Sequence, residues 1–132
     1  MNLIVLEKVF SIYKFKNESV LPGWIYATDF YSITKTMDEM SVVAVQTDIN
    51  SGEINVNRDW RVIKIEGPLD FSLIGIIADI SAIFKKKRIS IFTLSTYDTD
   101  YILIKKNDLK MGIQALLENG LNVSIENKKS SE

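Results

Sequence analysis

The 132-residue chain contains no histidine and no cysteine, and these two absences exclude the most. Without cysteine there is no disulfide and no thiolate nucleophile. Without either residue, the imidazole general base and the common zinc sites are missing as well. Catalysis would have to rest on Asp, Glu, Lys, Tyr or Ser, and no nucleophile, base and orienting group come together in the pattern, so a non-enzyme is expected. Carboxylate-only sites for magnesium or calcium stay open by chemistry, yet no stretch has the ligand spacing of a calcium loop; no metal and no cofactor are expected. Charge of one sign is lacking too. Sixteen Lys and Arg against 17 Asp and Glu leave a net charge of −1, which provides no basic field for a nucleic-acid backbone. Asp79 interrupts the longest apolar run, so no membrane span is expected. Met1 to Glu7 has no basic region and no small-residue cleavage site, and the expected location is cytoplasmic.

What is present is an ordinary soluble composition, 46% apolar and 25% charged, in a length that suits one domain or two small subdomains. The second half is the more regular. Trp60 to Glu66 is rich in β-branched residues and reads as a strand, with Trp60, Val62 and Lys64 on one face and Arg61, Ile63 and Ile65 on the other, although the alternation is blurred. Gly67-Pro68 stops it. Asp70 or Ser72 can cap a helix from about Leu73 to Lys86, with Ile76, Ile77, Ile80, Ile83 and Phe84 at core-facing spacing. Lys85 to Arg88 complement the macrodipole at its solvated end.

Ile89 to Thr96 reads as a buried strand, Tyr97 to Asp100 as a turn, and Tyr101 to Ile104 as the returning strand. Asn107 or Asp108 caps a second helix through Glu118, with Leu109, Ile113, Leu116 and Leu117 inward; Asn119-Gly120 ends it with a left-handed cap. Leu121 to Ile125 forms a last strand. The order strand, helix, strand, strand, helix, strand is the ferredoxin-like plan. In the first half, Val9 to Phe15 reads as a strand, Pro22-Gly23-Trp24 as a turn or short helix, and Phe30 to Thr36 and Ser41 to Val45 as strands around a turn at Met37 to Glu39. This is a shortened version of the same plan. Trp24 and Trp60 are expected to pack between the two units.

Two segments concentrate small polar and acidic groups between apolar runs: Gly67 to Gly75, and Ser95-Thr96-Tyr97-Asp98-Thr99-Asp100. Backbone groups at such junctions are free to bind a small polar ligand. At these residues, together with Ile89 to Phe92 and Tyr101 to Ile104, the chain resembles the ACT domain superfamily of small-molecule sensors. Within it, the resemblance is to bacterial proteins with two ACT-like units that are related to the arginine-sensing CASTOR proteins. A weaker match runs from Ser32 to Thr36 and from Asp38 to Val43.

The resemblance implies an α+β fold of tandem ferredoxin-like (βαββαβ) units, the first one shortened. The corresponding divisions are 1–58, 59–126 and a tail, 127–132. It also implies a regulatory amino-acid effector, held against the first strand-to-helix loop at an interface between units, and a homodimer. The ligand-binding candidates are Gly67, Asp70, Phe71, Ser72 and Leu73 in the loop, and Thr96, Thr99 and Asp100 in the hairpin. Helix amides near Ser72 and Leu73 would take a ligand carboxylate, and Asp100 an ammonium or cationic side chain. Each residue keeps a structural reading beside the functional one: Asp70 and Ser72 as caps, Asp100 as a turn former, Phe71 as a core anchor. A dimerisation or protein-interaction module without a ligand is the alternative function.

Overall fold

Asn2–Phe15 forms one long strand, β1, in which Leu3 and Val5 are buried and so are Phe10, Ser11, Tyr13 and Phe15, with exposed Glu7 and Lys8 between the two groups. The strand expected from Val9 therefore starts at Asn2. The run Leu3-Ile4-Val5-Leu6 has no polar alternation to announce it, because Ile4 and Leu6 are themselves half-buried on the opposite face. A computed structural model of the protein describes residues 2–17, 19–49, 54–66 and 75–126. The chain divides into two units, Val9–Trp60 and Met1–Lys8 with Arg61–Glu132. The division lies close to the expected 58/59 boundary, but the first eight residues go with the C-terminal unit. Composition cannot announce which sheet a strand joins.

In the N-terminal unit the second half of β1 is followed by a five-residue 3-10 helix, Gly23–Ala27, and by strands β2 (Ser32–Lys35) and β3 (Met40–Val45). The three strands are antiparallel, with Tyr13 opposite Val42 and Val42 opposite Ile33. Tyr13, Phe15, Ile25, Met40, Val42 and Ala44 form the core. Trp24 packs in that core edge-on to Tyr13, with ring centroids 5.5 Å apart. The Tyr13 hydroxyl donates to the Val45 carbonyl and accepts from the Thr47 amide, both at 3.0 Å, so its burial leaves nothing unpaired. The turn at Met37 to Glu39 is closed by Thr36, whose Oγ1 accepts from the Asp38 and Glu39 amides at 3.1 Å each.

Strand β4 (Asn55–Ile65) begins in this unit. At Asp59 its backbone adopts φ 68, a left-handed conformation that Asp tolerates better than most residues. Gln46 holds it there. Its Oε1 accepts from the Asp59 amide at 2.7 Å and from the Ser11 hydroxyl at 2.9 Å, and its Nε2 donates to Asp59 Oδ1 at 3.0 Å.

The C-terminal unit holds the rest of β4, helix α1 (Ile76–Lys86), strands β5 (Ile91–Ser95) and β6 (Asp100–Lys105), helix α2 (Leu109–Glu118) and strand β7 (Asn122–Ile125). Its strands run in the order β7-β1-β4-β6-β5. A ferredoxin-like unit of its own strands would place β7 beside β4. Here the first half of β1 lies between them, parallel to β7 with Leu3 opposite Val123. Val62 and Ile63 are both fully buried, which is why the alternation of β4 is blurred in the sequence. The core joins Leu3, Val5, Ile63, Ile65, Ile80, Phe84, Ile102, Ile104 and Leu116, with Ile76, Ile77 and Ile83 packed against it as expected for α1.

Four local expectations change. Helix α1 begins at Ile76 rather than Leu73; its N-cap is Gly75 at φ 85, with no side-chain cap, and Asp70 and Ser72 lie outside the described residues. Nor does Asp108 cap α2 with its side chain, because a 3-10 turn, Lys106–Asp108, leads into that helix. Strand β5 is half-exposed, since it ends the strand order and has a single neighbour. In α2, Gly112 and Ala115 face inward with Leu116, while Leu117, about 100° further round, is 52% exposed. The left-handed stop at Gly120 is present at φ 83, with Gly120 bonded to the Leu117 carbonyl and Leu121 to that of Leu116.

Leu3→Ala is expected to destabilise the C-terminal unit by about 2–5 kcal/mol, the usual cost of a cavity at a fully buried leucine. Hydrogen exchange at β4 and β6 amides reads the loss. Gln46→Ala is expected to cost about 1–3 kcal/mol, because the Ser11 hydroxyl and the Asp59 amide lose their acceptor. Urea unfolding followed by tryptophan fluorescence measures it.

Candidate ligand site at the strand ends of the C-terminal unit

Of the eight sequence-predicted site residues, the structure describes three: Thr96, Thr99 and Asp100. Gly67, Asp70, Phe71, Ser72 and Leu73 lie outside the described residues. The three belong to one hairpin, which closes with Ser95 opposite Asp100. The Thr96 amide donates to the Thr99 carbonyl at 2.8 Å, and Thr96 Oγ1 accepts from the Thr99 amide at 3.3 Å. Thr99, only 6% exposed, donates its hydroxyl to the Ile65 carbonyl at the end of β4. The Ser95 hydroxyl donates to Asp100 Oδ1. Thr96 and Thr99 therefore have structural tasks, while Asp100, half-buried, keeps a second carboxylate oxygen for another donor. At the tip, Tyr97 is 90% exposed.

The Thr99 bond fixes the hairpin turn beside the last residue of β4, and the neighbouring strands end at the same edge. Glu66 follows β4, and its amide donates to the Asn2 carbonyl at 3.0 Å. Asn2 Nδ2 donates to Glu66 Oε1 at 3.2 Å, and Asn122 Nδ2 donates to Asn2 Oδ1 at 3.4 Å. Across β7, β1, β4 and β6 this makes a row of strand-end polar groups: Asn122, Asn2, Glu66, then Thr99 and Asp100. Two carboxylates stand in it and no lysine or arginine does. Such a row favours a ligand that donates hydrogen bonds and carries positive charge.

Helix α1 follows β4 in the chain, and its first turn lines a cavity with Asn119 and Leu121, just before the start of β7. Gly75, the N-cap residue of α1, brings no side chain to the first-turn amides, and amides at a helix start suit an anionic group. Acceptors on the strand ends and donors on the helix end together match the two charges of a zwitterion. Asn2 and Asn122 were not foreseen. Neither carries a signal in the sequence, since each matters only through the strand pairing that brings it beside its neighbour. Glu66, inside the segment that carries the resemblance, had no assigned role.

Residues 55–118 match the ACT domain family, and residues 8–52 match a separate family described as an N-terminal domain. None of the curated proteins matches the chain. Among solved structures, protein Atu0741 from Agrobacterium tumefaciens is 28% identical, with a TM-score of 0.86 over 99% of this chain and 97% of that one. The aspartate kinase of Clostridium acetobutylicum, described as an allosteric enzyme, is 13% identical, with a TM-score of 0.63 over 85% of this chain and 33% of the kinase. A candidate C-terminal regulatory domain of aspartate kinase from Porphyromonas gingivalis is 18% identical, with a TM-score of 0.53 over 88% of this chain and 94% of that one. The last two likenesses are of fold. Among the described residues no helix is long and apolar enough to cross a membrane.

Thr99→Val is expected to cost about 1–3 kcal/mol by leaving the Ile65 carbonyl without its donor, while Thr99→Ser keeps most of the stability. Paired urea titrations of the two variants separate the hydrogen bond from the methyl group.

Proposed function

We propose that the protein is a non-catalytic, cytoplasmic regulatory module that binds an amino acid at the strand ends of its C-terminal unit. The observation that carries this reading is the row holding Glu66 and Asp100, in which no described residue is a lysine or arginine, together with the α1 start at Gly75. The α-ammonium would pair with the carboxylates and the α-carboxylate with the helix amides. The ACT match over residues 55–118 supports an effector role, as does the fold shared with the allosteric kinase. The absence of histidine and cysteine supports a binding role over a catalytic one. The resemblance to the CASTOR sensors makes arginine the first ligand to test, since its guanidinium would add donors for the second carboxylate.

A homodimer fits the same reading. Among the described residues β7 pairs with β1 and with no other strand, and it leaves Ile125 63% exposed. That edge also favours the second reading, a dimerisation module that binds no ligand.

The test uses protein unfolded and refolded to remove carried-over ligand, then melted against the twenty amino acids. A ligand at 100 times its dissociation constant is expected to stabilise the fold by about 2.7 kcal/mol, several degrees in Tm. Glu66→Gln should abolish the shift while the unliganded Tm stays close to the parent, and Asp98→Asn at the exposed turn should leave it intact. Flat melts across the whole panel, with a dimer mass in solution, would replace the sensor reading with the dimerisation one.

A further inference from the structure

A second place in the C-terminal unit has the form of a ligand site, in its helical layer rather than at its strand ends. Helices α1 and α2 pack tightly where Gly112 faces the core: a Cβ there would lie 2.8 Å from Ile104 Cδ1 and 3.3 Å from Phe84 Cε1. Toward the start of α1 and the end of α2, about two turns away, they leave a cavity of about 410 Å³ lined by Ile76, Asp79, Ile80, Ile83, Asn119 and Leu121. That volume is within the usual range of small-molecule pockets, about 300–1,000 Å³. The aliphatic side chains among these make most of its wall, with Ile80 only 2% exposed.

Among the described residues the lining has one charged side chain. Asp79 brings a carboxylate. Asn119 donates its Nδ2 to the Ala115 carbonyl at 2.8 Å, which leaves Oδ1 as its remaining acceptor. The basic run Lys85 to Arg88 begins six residues further along α1, about 9 Å along the axis, and lines no part of the cavity. A carboxylate or phosphate would meet the negative charge of Asp79. An ammonium would meet partners.

From this we infer that the cleft between α1 and α2 binds a primary aliphatic ammonium, with its head on Asp79 and Asn119 and its tail among Ile80, Ile83 and Leu121. The inference goes beyond the strand-end site and does not need it. The same chemistry has two sources, a free aliphatic amine or the α-ammonium of an aliphatic amino acid. The probes that part them are isoamylamine and leucine, with isocaproate as the isosteric acid.

Protein carrying labelled isoleucine and leucine methyls is titrated with each probe and followed by NMR. Isoamylamine is expected to give saturable shifts at the methyls of Ile76, Ile80, Ile83 and Leu121, and none at Ile25 and Ile33 of the N-terminal unit. Isocaproate should give none. Tighter binding of leucine than of isoamylamine identifies the amino acid as the source; equal or weaker binding identifies the free amine. Asp79→Asn should weaken binding about tenfold or more. Ala82→Leu, at an exposed position on the cavity lining, should block it, and both variants keep their fold as read by the methyl of Ile63 in the core of the same unit. The idea is overturned if isoamylamine gives no saturable shift at these methyls. It is equally overturned if isocaproate binds as well, or if Asp79→Asn binds as the parent does.

Discussion

The C-terminal unit depends on a strand that the chain supplies from its other end. Leu3 and Val5 are in its core, and the first half of β1 separates β7 from β4. Neighbouring strands stand about 4.8 Å apart, so the insertion widens a four-stranded layer by roughly that amount. The two helices above it must cover a broader floor with the same number of side chains. Close packing at Gly112 and an open cleft near Asn119 are a coherent way to do so, tight at one end and parted at the other. It also follows that residues 55–118, although they match a family by themselves, do not contain every part of the unit they belong to.

The same economy holds at the strand ends. Thr99 is buried and fixes the hairpin to β4, Thr96 closes the turn, and Asp100 is braced by Ser95. A carboxylate held by a neighbour's hydroxyl loses little freedom when a ligand arrives, so it can bind without a large ordering cost. The threonines act as the frame, and the carboxylates keep oxygens for another donor. Residues chosen from the sequence as ligand candidates thus divide by chemistry: hydroxyls that can bond both ways are absorbed by the fold, and acids with spare lone pairs are left over.

How much was legible follows from the range of each signal. Helix α1's apolar stripe, the β5–β6 hairpin and the stop at Gly120 are set by residues a few positions apart, and all three are found. Helix starts were less legible. The N-cap position is Gly75, whose left-handed backbone no side chain announces, and Asp70 and Ser72 lie outside the described residues. Leu117 looked apolar and inward, but glycine at position 112 lets the helix turn a different stripe to the core. Least legible was pairing at long range. Nothing near Asn2 points to Glu66 or Asn122, some 60 and 120 residues away, and the row they form exists only once the sheet order is known.

The two units, each taken alone, are unequal in what they could bind. The N-terminal unit has a 3-10 helix of five residues where its counterpart has two α-helices of 11 and 10. Five residues build no macrodipole of consequence and cover little sheet. Of its polar side chains, Tyr13, Ser11 and Gln46 are bonded to one another or to backbone and hold shape. The C-terminal unit has both helices and two groups of acceptors, Glu66 with Asp100 at the strand ends and Asp79 with Asn119 on the cavity between the helices. Acceptors of this kind are suited to holding a positively charged group in place.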